Sequence, residues 1–298
     1  MILVRQFSQV LRWRSLYFSI ALIGGLTLFY SAAEMRISDR AYSFKLKDNI
    51  FQYEASVHYQ ETKERTLRYL EIGADHLPLI VFIHGAPSSS AFWKHLLRDS
   101  SLLANAKLLA VDRPGYGYSG YGKPITSVKK QAAMIAQILR KKRAKHQRIV
   151  VHGSSYGGTV AARLAMDFPE LVDGLLLQSA SVKTGSEKTY NISYPTHHWS
   201  LRWAVPGALR TANAEKLSHH VALDNMRDGW ENIRAATIVL HGEADGLIYP
   251  DNAFFSFDQI INAPYKDIRF FADRKHDLLW TKTEVLKSSL LKLINLSI

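Results

Sequence analysis

A serine between paired glycines is the strongest chemical signal in this sequence. Residues 153–158 read Gly-Ser-Ser-Tyr-Gly-Gly, which places Ser155 at the centre of a G-x-S-x-G pentapeptide. In that pattern the serine occupies a sharp turn from a strand into a helix, and the glycines leave room for strained backbone. Residues 148–151 are typical of the strand and residues 159–166 of the helix. We therefore predict that Ser155 is a nucleophile.

A serine hydroxyl is a weak nucleophile until a base accepts its proton, so the same site requires an imidazole. His276 follows the last predicted strand and the loop 272–275, and Asp245 lies between Ser155 and His276, directly after another predicted strand. A carboxylate there would hold the imidazole tautomer and stabilise the imidazolium. We predict a triad of Ser155, His276 and Asp245. Three other carboxylates are alternative acids: Glu243, Asp251 and Asp277.

Stabilisation of a negatively charged oxygen needs backbone N–H groups that converge on the nucleophile. The loop His84-Gly85-Ala86-Pro87 follows the apolar run at residues 79–83, and Tyr156 directly follows Ser155. We assign the two oxyanion donors to the backbone N–H groups of Ala86 and Tyr156. We interpret His84 as a residue that shapes its loop and carries no proton in the reaction.

All of these residues follow segments that read as strands. Strands are predicted at residues 57–60, 67–72, 79–83, 108–111, 149–151, 175–177, 237–240 and 268–271. Helical apolar spacing is found at residues 127–142, 159–166 and 283–294. Strands that alternate with helices predict an α/β fold with a mostly parallel sheet and helices on both faces. In such sheets functional residues gather at the carboxyl ends of the strands.

The alternation of strands and helices stops between residues 183 and 236. We predict that residues 183–236 form an inserted helical cap, which divides the core into residues 37–182 and 237–298. Five aromatic residues in this segment indicate an apolar pocket: Tyr190, Tyr194, Trp199, Trp203 and Trp230. The polar residues 37–50 are predicted to be a linker into the core.

The amino terminus, residues 1–36, is predicted to be a signal anchor. Residues 15–33 carry no charge, and a helix over them would span about 28 Å, close to the hydrocarbon thickness of a bilayer. Arginines at positions 5, 12 and 14 predict a cytoplasmic amino terminus and a catalytic domain on the non-cytoplasmic side. A cleaved signal peptide that ends at Ser31-Ala32-Ala33 is the alternative, and it would make the protein secreted.

Composition excludes several other classes of function. The chain of 298 residues has no cysteine, which excludes a disulfide framework, a thiolate metal site and a thiol nucleophile. Its net charge of +12 includes a basic stretch at residues 123–148, which is either a solvated helix face or a surface that attracts anionic lipid. No nucleic-acid-binding module and no His-Glu-x-x-His motif is present. A G-x-G-x-x-G pattern at residues 115–120 lacks the following helix and acid of a dinucleotide site. We predict no metal, no cofactor and no nucleic-acid partner.

Four elements in order resemble the α/β-hydrolase superfamily, in its branch of small esterases and carbon–carbon bond hydrolases. They are the loop 84–87, the sequence Asp-Arg-Pro-Gly-Tyr-Gly-Tyr-Ser at residues 112–119, the turn at Ser155, and residues 242–245 followed by His276. The resemblance covers the chain from about residue 50 to its end, outside the cap. It implies an eight-stranded sheet, catalysis by Ser155, His276 and Asp245, and no cofactor. One position departs, since many relatives carry glycine where this chain has Lys275.

The residue at the turn also separates branches of that superfamily. Haloalkane dehalogenases and epoxide hydrolases carry aspartate there, whereas this chain carries Ser155. We therefore expect a serine hydrolase that cleaves the carboxylic ester of a small or lipid-like acid through an acyl-enzyme intermediate. Two alternatives stay open: carbon–carbon bond hydrolysis on the same triad, and a non-catalytic binding module with a hydrolase-like fold.

Overall fold

The computed structural model describes residues 35–186, 191 and 193–296. The predicted membrane span at residues 15–33 lies outside the described residues. Within the described ranges, no helix is both long enough and apolar enough to cross a bilayer. The signal anchor and the side of the membrane on which the domain lies therefore stay predictions.

Eight strands form one sheet, in the spatial order β1-β2-β4-β3-β5-β6-β7-β8. Their bounds are β1 Ser56–Gln60, β2 Leu67–Ile72, β3 Leu79–Ile83, β4 Lys107–Val111, β5 Ile149–Ser154, β6 Gly174–Gln178, β7 Ala236–Gly242 and β8 Lys266–Phe271. Strand β2 pairs antiparallel with β1 and β4, whereas the other neighbouring strands pair in parallel. This confirms the expected eight-stranded, mostly parallel sheet.

Most of the helices pack against the two faces of this sheet. Their bounds are α1 Asp39–Leu46, α2 Ser100–Leu103, α3 Val128–Arg143, α4 Tyr156–Asp167, α5 Ser193–His197, α6 Gly207–Asp224, α7 Asp251–Gln259, α8 Leu278–Thr281 and α9 Thr283–Asn295. Side chains alternate along each strand, so strand β3 supplies both faces. Leu79, Val81 and Ile83 pack with α3 and α4, whereas Ile80 and Phe82 pack with α9. This double burial explains why the strands read as continuous apolar runs.

The predicted linker at residues 37–50 is wrong in part, because it contains helix α1. Tyr42 and Leu46 lie one helical turn apart and are both buried in the core cluster that also holds Trp93. The Asp39 carboxylate accepts a hydrogen bond of 2.8 Å from Nε of Arg68. Two buried side chains among polar neighbours give too weak a periodicity for the sequence to predict this helix.

Between β6 and β7 the chain forms α5, the long helix α6 and short 3-10 turns, within the range predicted to be the cap. The described aromatic residues of this range do not line the predicted pocket. Tyr194, Trp199 and Trp203 are exposed, and Trp230 is buried in the core against Phe255. The aromatic content of the cap was therefore a poor guide to the lining of the cavity.

Two buried histidines make the fold sensitive to acid. His152 on β5 and His219 on α6 are buried, and burial lowers the pKa of each to about 3. In the unfolded chain an imidazole takes up its proton near pH 6.5. Above pH 6.5 these histidines are neutral in both states and do not oppose folding. As the pH falls from about 6.5 towards 3 only the unfolded chain takes up these protons, so the free energy of unfolding decreases.

We expect the free energy of unfolding to fall by roughly 1 kcal/mol per pH unit for each of these histidines between pH 6 and pH 4. Urea unfolding at pH 7 and at pH 5 measures the change. A His152→Gln variant keeps a partner for the amide oxygen of Gln178, which lies 3.1 Å from Nε2 of His152, and should show a smaller difference between the two pH values. The same difference in both proteins would contradict this account.

Candidate active site

Ser155 stands at the turn between β5 and α4 in a conformation that L-residues rarely adopt, with φ of 54° and ψ of −126°. The neighbouring glycines are required by close packing. A Cβ on Gly157 would lie 2.2 Å from the carbonyl oxygen of Ile83, and a Cβ on Gly153 would lie 2.5 Å from that of Gly157. The G-x-S-x-G pattern therefore marks a turn that packs closely against the end of β3, where neither glycine has space for a side chain.

The two assigned oxyanion donors lie beside Ser155. The loop after β3 approaches the nucleophile so closely that a Cβ on Gly85 would lie 2.9 Å from Cβ of Ser155. Ala86, Ser155, Tyr156 and His276 all line one cavity of about 700 Å³. The structure thus brings together the predicted nucleophile, the predicted base and the two residues assigned as donors.

Asp245 and His276 are directly hydrogen bonded. Nδ1–H of His276 donates to Oδ2 of Asp245 over 2.7 Å, and Oδ1 of Asp245 accepts the backbone N–H groups of Leu247 and Ile248 over 3.0 Å each. Burial alone would raise the pKa of the Asp245 carboxyl, but the hydrogen bond and charge of His276 and the two backbone donors lower it below its ordinary value. Asp245 is therefore a carboxylate that fixes the tautomer of His276 and leaves Nε2 free to accept a proton.

The loops after β7 and β8 are joined by backbone hydrogen bonds. The N–H of Glu243 donates to the carbonyl of Phe271, and the N–H of Ala244 donates to that of Arg274, each over 3.0 Å. A Cβ on Gly242 would lie 2.3 Å from the carbonyl oxygen of Arg274, so this close approach requires glycine. These hydrogen bonds between the two loops place Asp245 next to His276.

The alternative acids lie in other environments. The carboxylate of Asp251 is 3.3 Å from Nζ of Lys183, and Asp277 accepts the backbone N–H of Lys275 over 3.1 Å. Glu243 is exposed. The geometry therefore favours Asp245, as the sequence predicted, as the partner of the imidazole.

His84 has both ring nitrogens occupied by the backbone. Its Nδ1–H donates to the carbonyl of Gly85 over 2.7 Å, and its Nε2 accepts the backbone N–H of Arg113 over 3.0 Å. Burial and the charge of Arg113 hold the pKa of His84 well below its ordinary value. One ring nitrogen donates and the other accepts, so the neutral imidazole holds two backbone groups. This fits the interpretation that His84 shapes the loop.

An ion pair beside this loop was not predicted from the sequence. Arg113 and Glu215 are fully buried, and Nη1 of Arg113 lies 2.6 Å from Oε1 of Glu215. Gln131 and the hydroxyl of Tyr116 donate to the same carboxylate, over 3.0 and 2.6 Å. Arg113 lies two positions after the buried strand β4, but nothing in the sequence links it to a glutamate 102 positions later.

The cavity over Ser155 combines apolar and polar walls. Its apolar lining includes Val205, Pro206, Leu209, Leu247 and Ile248, and its polar lining includes Ser181, Asn213, Lys216 and His219. Most of this wall comes from the segment between β6 and β7, which therefore lies over the carboxyl ends of the strands. Among the described residues, no cluster of three or more His, Asp or Glu side chains is arranged to hold a metal ion.

Two curated relatives are similar over part of the chain. Epoxide hydrolase 1 of Caenorhabditis elegans is 28% identical over 120 residues, which are 40% of this chain and 29% of that protein. The pimeloyl-[acyl-carrier protein] methyl ester esterase of Vibrio parahaemolyticus is 31% identical over 115 residues, which are 38% of this chain and 41% of that protein. The matched region thus covers less than half of the length of each relative.

Solved structures match over a larger part of the chain. An esterase from Exiguobacterium antarcticum superposes with a TM-score of 0.64 at 16% identity, over 81% of this chain and 100% of that one. A bacterial membrane phospholipase A superposes with a TM-score of 0.61 at 18% identity, over 95% of this chain and 98% of that one. At such low identity these similarities show the fold alone. The family model for the alpha/beta hydrolase fold matches residues 78–236, more than half of the sequence, and this chain therefore belongs to that family.

Proposed function

We propose that this protein is a serine hydrolase that cleaves a carboxylic ester of a small or lipid-like acid. The observation that carries the proposal is the 2.7 Å hydrogen bond between His276 and Asp245, on the rim of the cavity that Ser155 also lines. This bond leaves Nε2 of His276 as the nitrogen that takes the serine proton. A buried carboxylate, an imidazole bonded to it and a serine in strained backbone on the same cavity are the components of an activated nucleophile.

In the first step Oγ of Ser155 attacks the ester carbonyl while His276 accepts its proton. The carbonyl oxygen gains negative charge and is stabilised by the backbone N–H groups of Ala86 and Tyr156. Tyr156 is the first residue of α4, so the positive end of that helix adds to this stabilisation. The proton on His276 then passes to the leaving alcohol, and an acyl-enzyme on Ser155 remains.

Water completes the cycle by the same route. His276 removes a proton from water, the resulting hydroxide attacks the acyl group, and the same two N–H groups stabilise the second tetrahedral intermediate. Asp245 stabilises the imidazolium in both halves of the cycle. The chain's own residues supply every proton transfer in this scheme.

The proposed acyl group is apolar, because Val205, Pro206 and Leu209 line the cavity beside the nucleophile. A cavity of about 700 Å³ is large enough for a drug-sized or fatty-acyl ligand. We further propose, from the sequence alone, that residues 15–33 anchor the chain in a membrane with the catalytic domain on the non-cytoplasmic side. Exposed Trp199 and Trp203 would suit a membrane surface there.

The direct experiment is an acyl-length series of p-nitrophenyl esters, from acetate to palmitate, with the full chain in detergent. We expect hydrolysis with a maximum rate at intermediate acyl length, since the cavity volume sets the length that fits. Hydrolysis of a 1,3-diketone without hydrolysis of any ester would support the carbon–carbon alternative. Failure to cleave either class, together with no labelling of Ser155 by a fluorophosphonate, would favour the binding-module alternative.

A further inference from the structure

We infer that Arg113 is a positioning residue that orients the Gly85–Ala86 peptide as an oxyanion donor and couples it, through Glu215, to helix α6 of the cap. The inference rests on the proposed function, since it concerns the N–H group assigned to the tetrahedral intermediate. It assigns a role to a fully buried ion pair that the triad chemistry does not use.

The argument begins with the geometry of one peptide group. The carbonyl of Gly85 and the N–H of Ala86 belong to the same trans peptide, so they point in opposite directions. The carbonyl accepts two hydrogen bonds, from Nη2 of Arg113 over 3.0 Å and from Nδ1 of His84 over 2.7 Å. Two donors on the carbonyl side fix the direction of the N–H on the other side.

A fixed direction matters because Gly85 has little conformational preference of its own. Glycine populates several backbone regions with similar energy, so a peptide that follows it can rotate unless its carbonyl is held. The close approach of the loop to Ser155 explains why glycine is needed at this position. The same closeness thus creates a need for an external group that holds the peptide, and Arg113 supplies it.

The charge of Arg113 adds to this effect. A guanidinium that donates to a carbonyl makes a stronger hydrogen bond than a neutral donor does. Hydrogen bonds on the two ends of one amide polarise each other, so the Ala86 N–H becomes a better donor when the Gly85 carbonyl is bound to a cation. Arg113 therefore both aims and strengthens the proposed oxyanion donor.

Arg113 is itself held on every nitrogen. Its Nε donates to the carbonyl of His84 over 2.7 Å, and Nη1 donates to Gln131 over 2.9 Å and to Glu215 over 2.6 Å. Nη2 also donates to the second oxygen of Glu215 over 3.2 Å. A buried arginine that loses its carboxylate would be an uncompensated charge, so Glu215 is essential to the position of the guanidinium.

Glu215 brings the cap into this network. It lies on α6, whose residues Leu209, Asn213, Lys216 and His219 line the substrate cavity. The same helix thus contacts the substrate space with one set of side chains and the oxyanion loop, through Arg113, with another. A shift of α6 would therefore move Arg113 and change the direction of the Ala86 N–H.

The test uses two conservative variants, Arg113→Lys and Glu215→Gln, in the full chain. Lysine keeps the charge but cannot contact both carbonyls of the loop, and glutamine keeps the shape but removes the counter-charge. We expect kcat for p-nitrophenyl butyrate to fall by about 10- to 100-fold with KM nearly unchanged, less than the loss of a whole oxyanion donor. A Tyr116→Phe variant, which removes only one hydrogen bond to Glu215, should fold normally and show a smaller loss of the same kind.

A second readout separates positioning from a structural role. A trifluoromethyl ketone forms a tetrahedral adduct with the serine and places an oxyanion against the donors. Its inhibition constant should rise by the same factor as kcat/KM falls. Arg143→Lys, which alters an ion pair of 2.7 Å with Asp173 away from the cavity, should change neither value.

Unchanged kcat and ketone affinity in Arg113→Lys, Glu215→Gln and Tyr116→Phe would overturn the inference. So would a loss of kcat with wild-type ketone affinity, because the oxyanion donor would then be intact. A wild-type protein that neither cleaves the ester nor binds the ketone would remove the proposed function itself. That result is distinguishable, because it is seen before any variant is made.

Discussion

Replacing Ser155 with alanine should lower kcat for p-nitrophenyl butyrate by on the order of 10⁶-fold and abolish labelling by a fluorophosphonate. In the proposed mechanism the hydroxyl oxygen of Ser155 forms the acyl-enzyme, and alanine lacks this oxygen. The fold should persist, since the side chain is small and partly exposed. Binding of the substrate to the cavity should also persist, so the loss appears in kcat and little in KM.

The matched control for this variant is Ser154→Ala, which removes the neighbouring hydroxyl. Ser154 is buried at the end of β5, with no place in the proposed chemistry, so its variant should keep activity and labelling. The measurement is the initial rate for both variants beside intact-mass analysis after labelling. Residual hydrolysis in Ser155→Ala within tenfold of wild type would rule out Ser155 as the nucleophile.

The sheet and the position of the candidate site were predictable from local sequence because the physical signals are local. A parallel strand with both faces buried must be apolar at every position, so the run at residues 79–83 predicted β3 with the bounds that the structure has. The candidate site residues lie within a few positions of strand ends, and parallel strands place those ends along one edge. Gly157 adds a steric requirement that only the identity of the residue can reveal.

Other features depend on contacts between distant parts of the chain and left no local signal. Helix α1 is held by two buried side chains in a polar segment, so its periodicity is weak. The exposure of Trp199 and Trp203 depends on how the segment between β6 and β7 packs on the rest of the protein, and composition does not determine that packing. The pairing of Arg113 with Glu215 joins a loop to a helix of the cap, and either residue alone reads as an ordinary surface charge.

A substitution of Asp245 by asparagine should lower kcat by about 10⁴-fold while the protein stays folded. Both oxygens of this carboxylate are used: one accepts from His276, and the other accepts from two backbone N–H groups. An asparagine has one oxygen and one NH2 group. If its oxygen keeps the two backbone donors, its NH2 faces Nδ1 of His276, which must then accept. The ring would carry its proton on Nε2 and could not accept the proton of Ser155.

The opposite orientation of asparagine would place its NH2 against the N–H groups of Leu247 and Ile248. These two buried donors would then face another donor and lose their acceptor, which is unfavourable. The tautomer with the proton on Nε2 is therefore the expected one, and ¹⁵N shifts of His276 can detect it. Asp251→Asn is the control, because this exposed carboxylate contacts Lys183 and should leave kcat unchanged. A greater loss of kcat in Asp251→Asn than in Asp245→Asn would contradict this assignment. It would mean that His276 is oriented during catalysis by Asp251 and not by Asp245, to which it is hydrogen bonded over 2.7 Å.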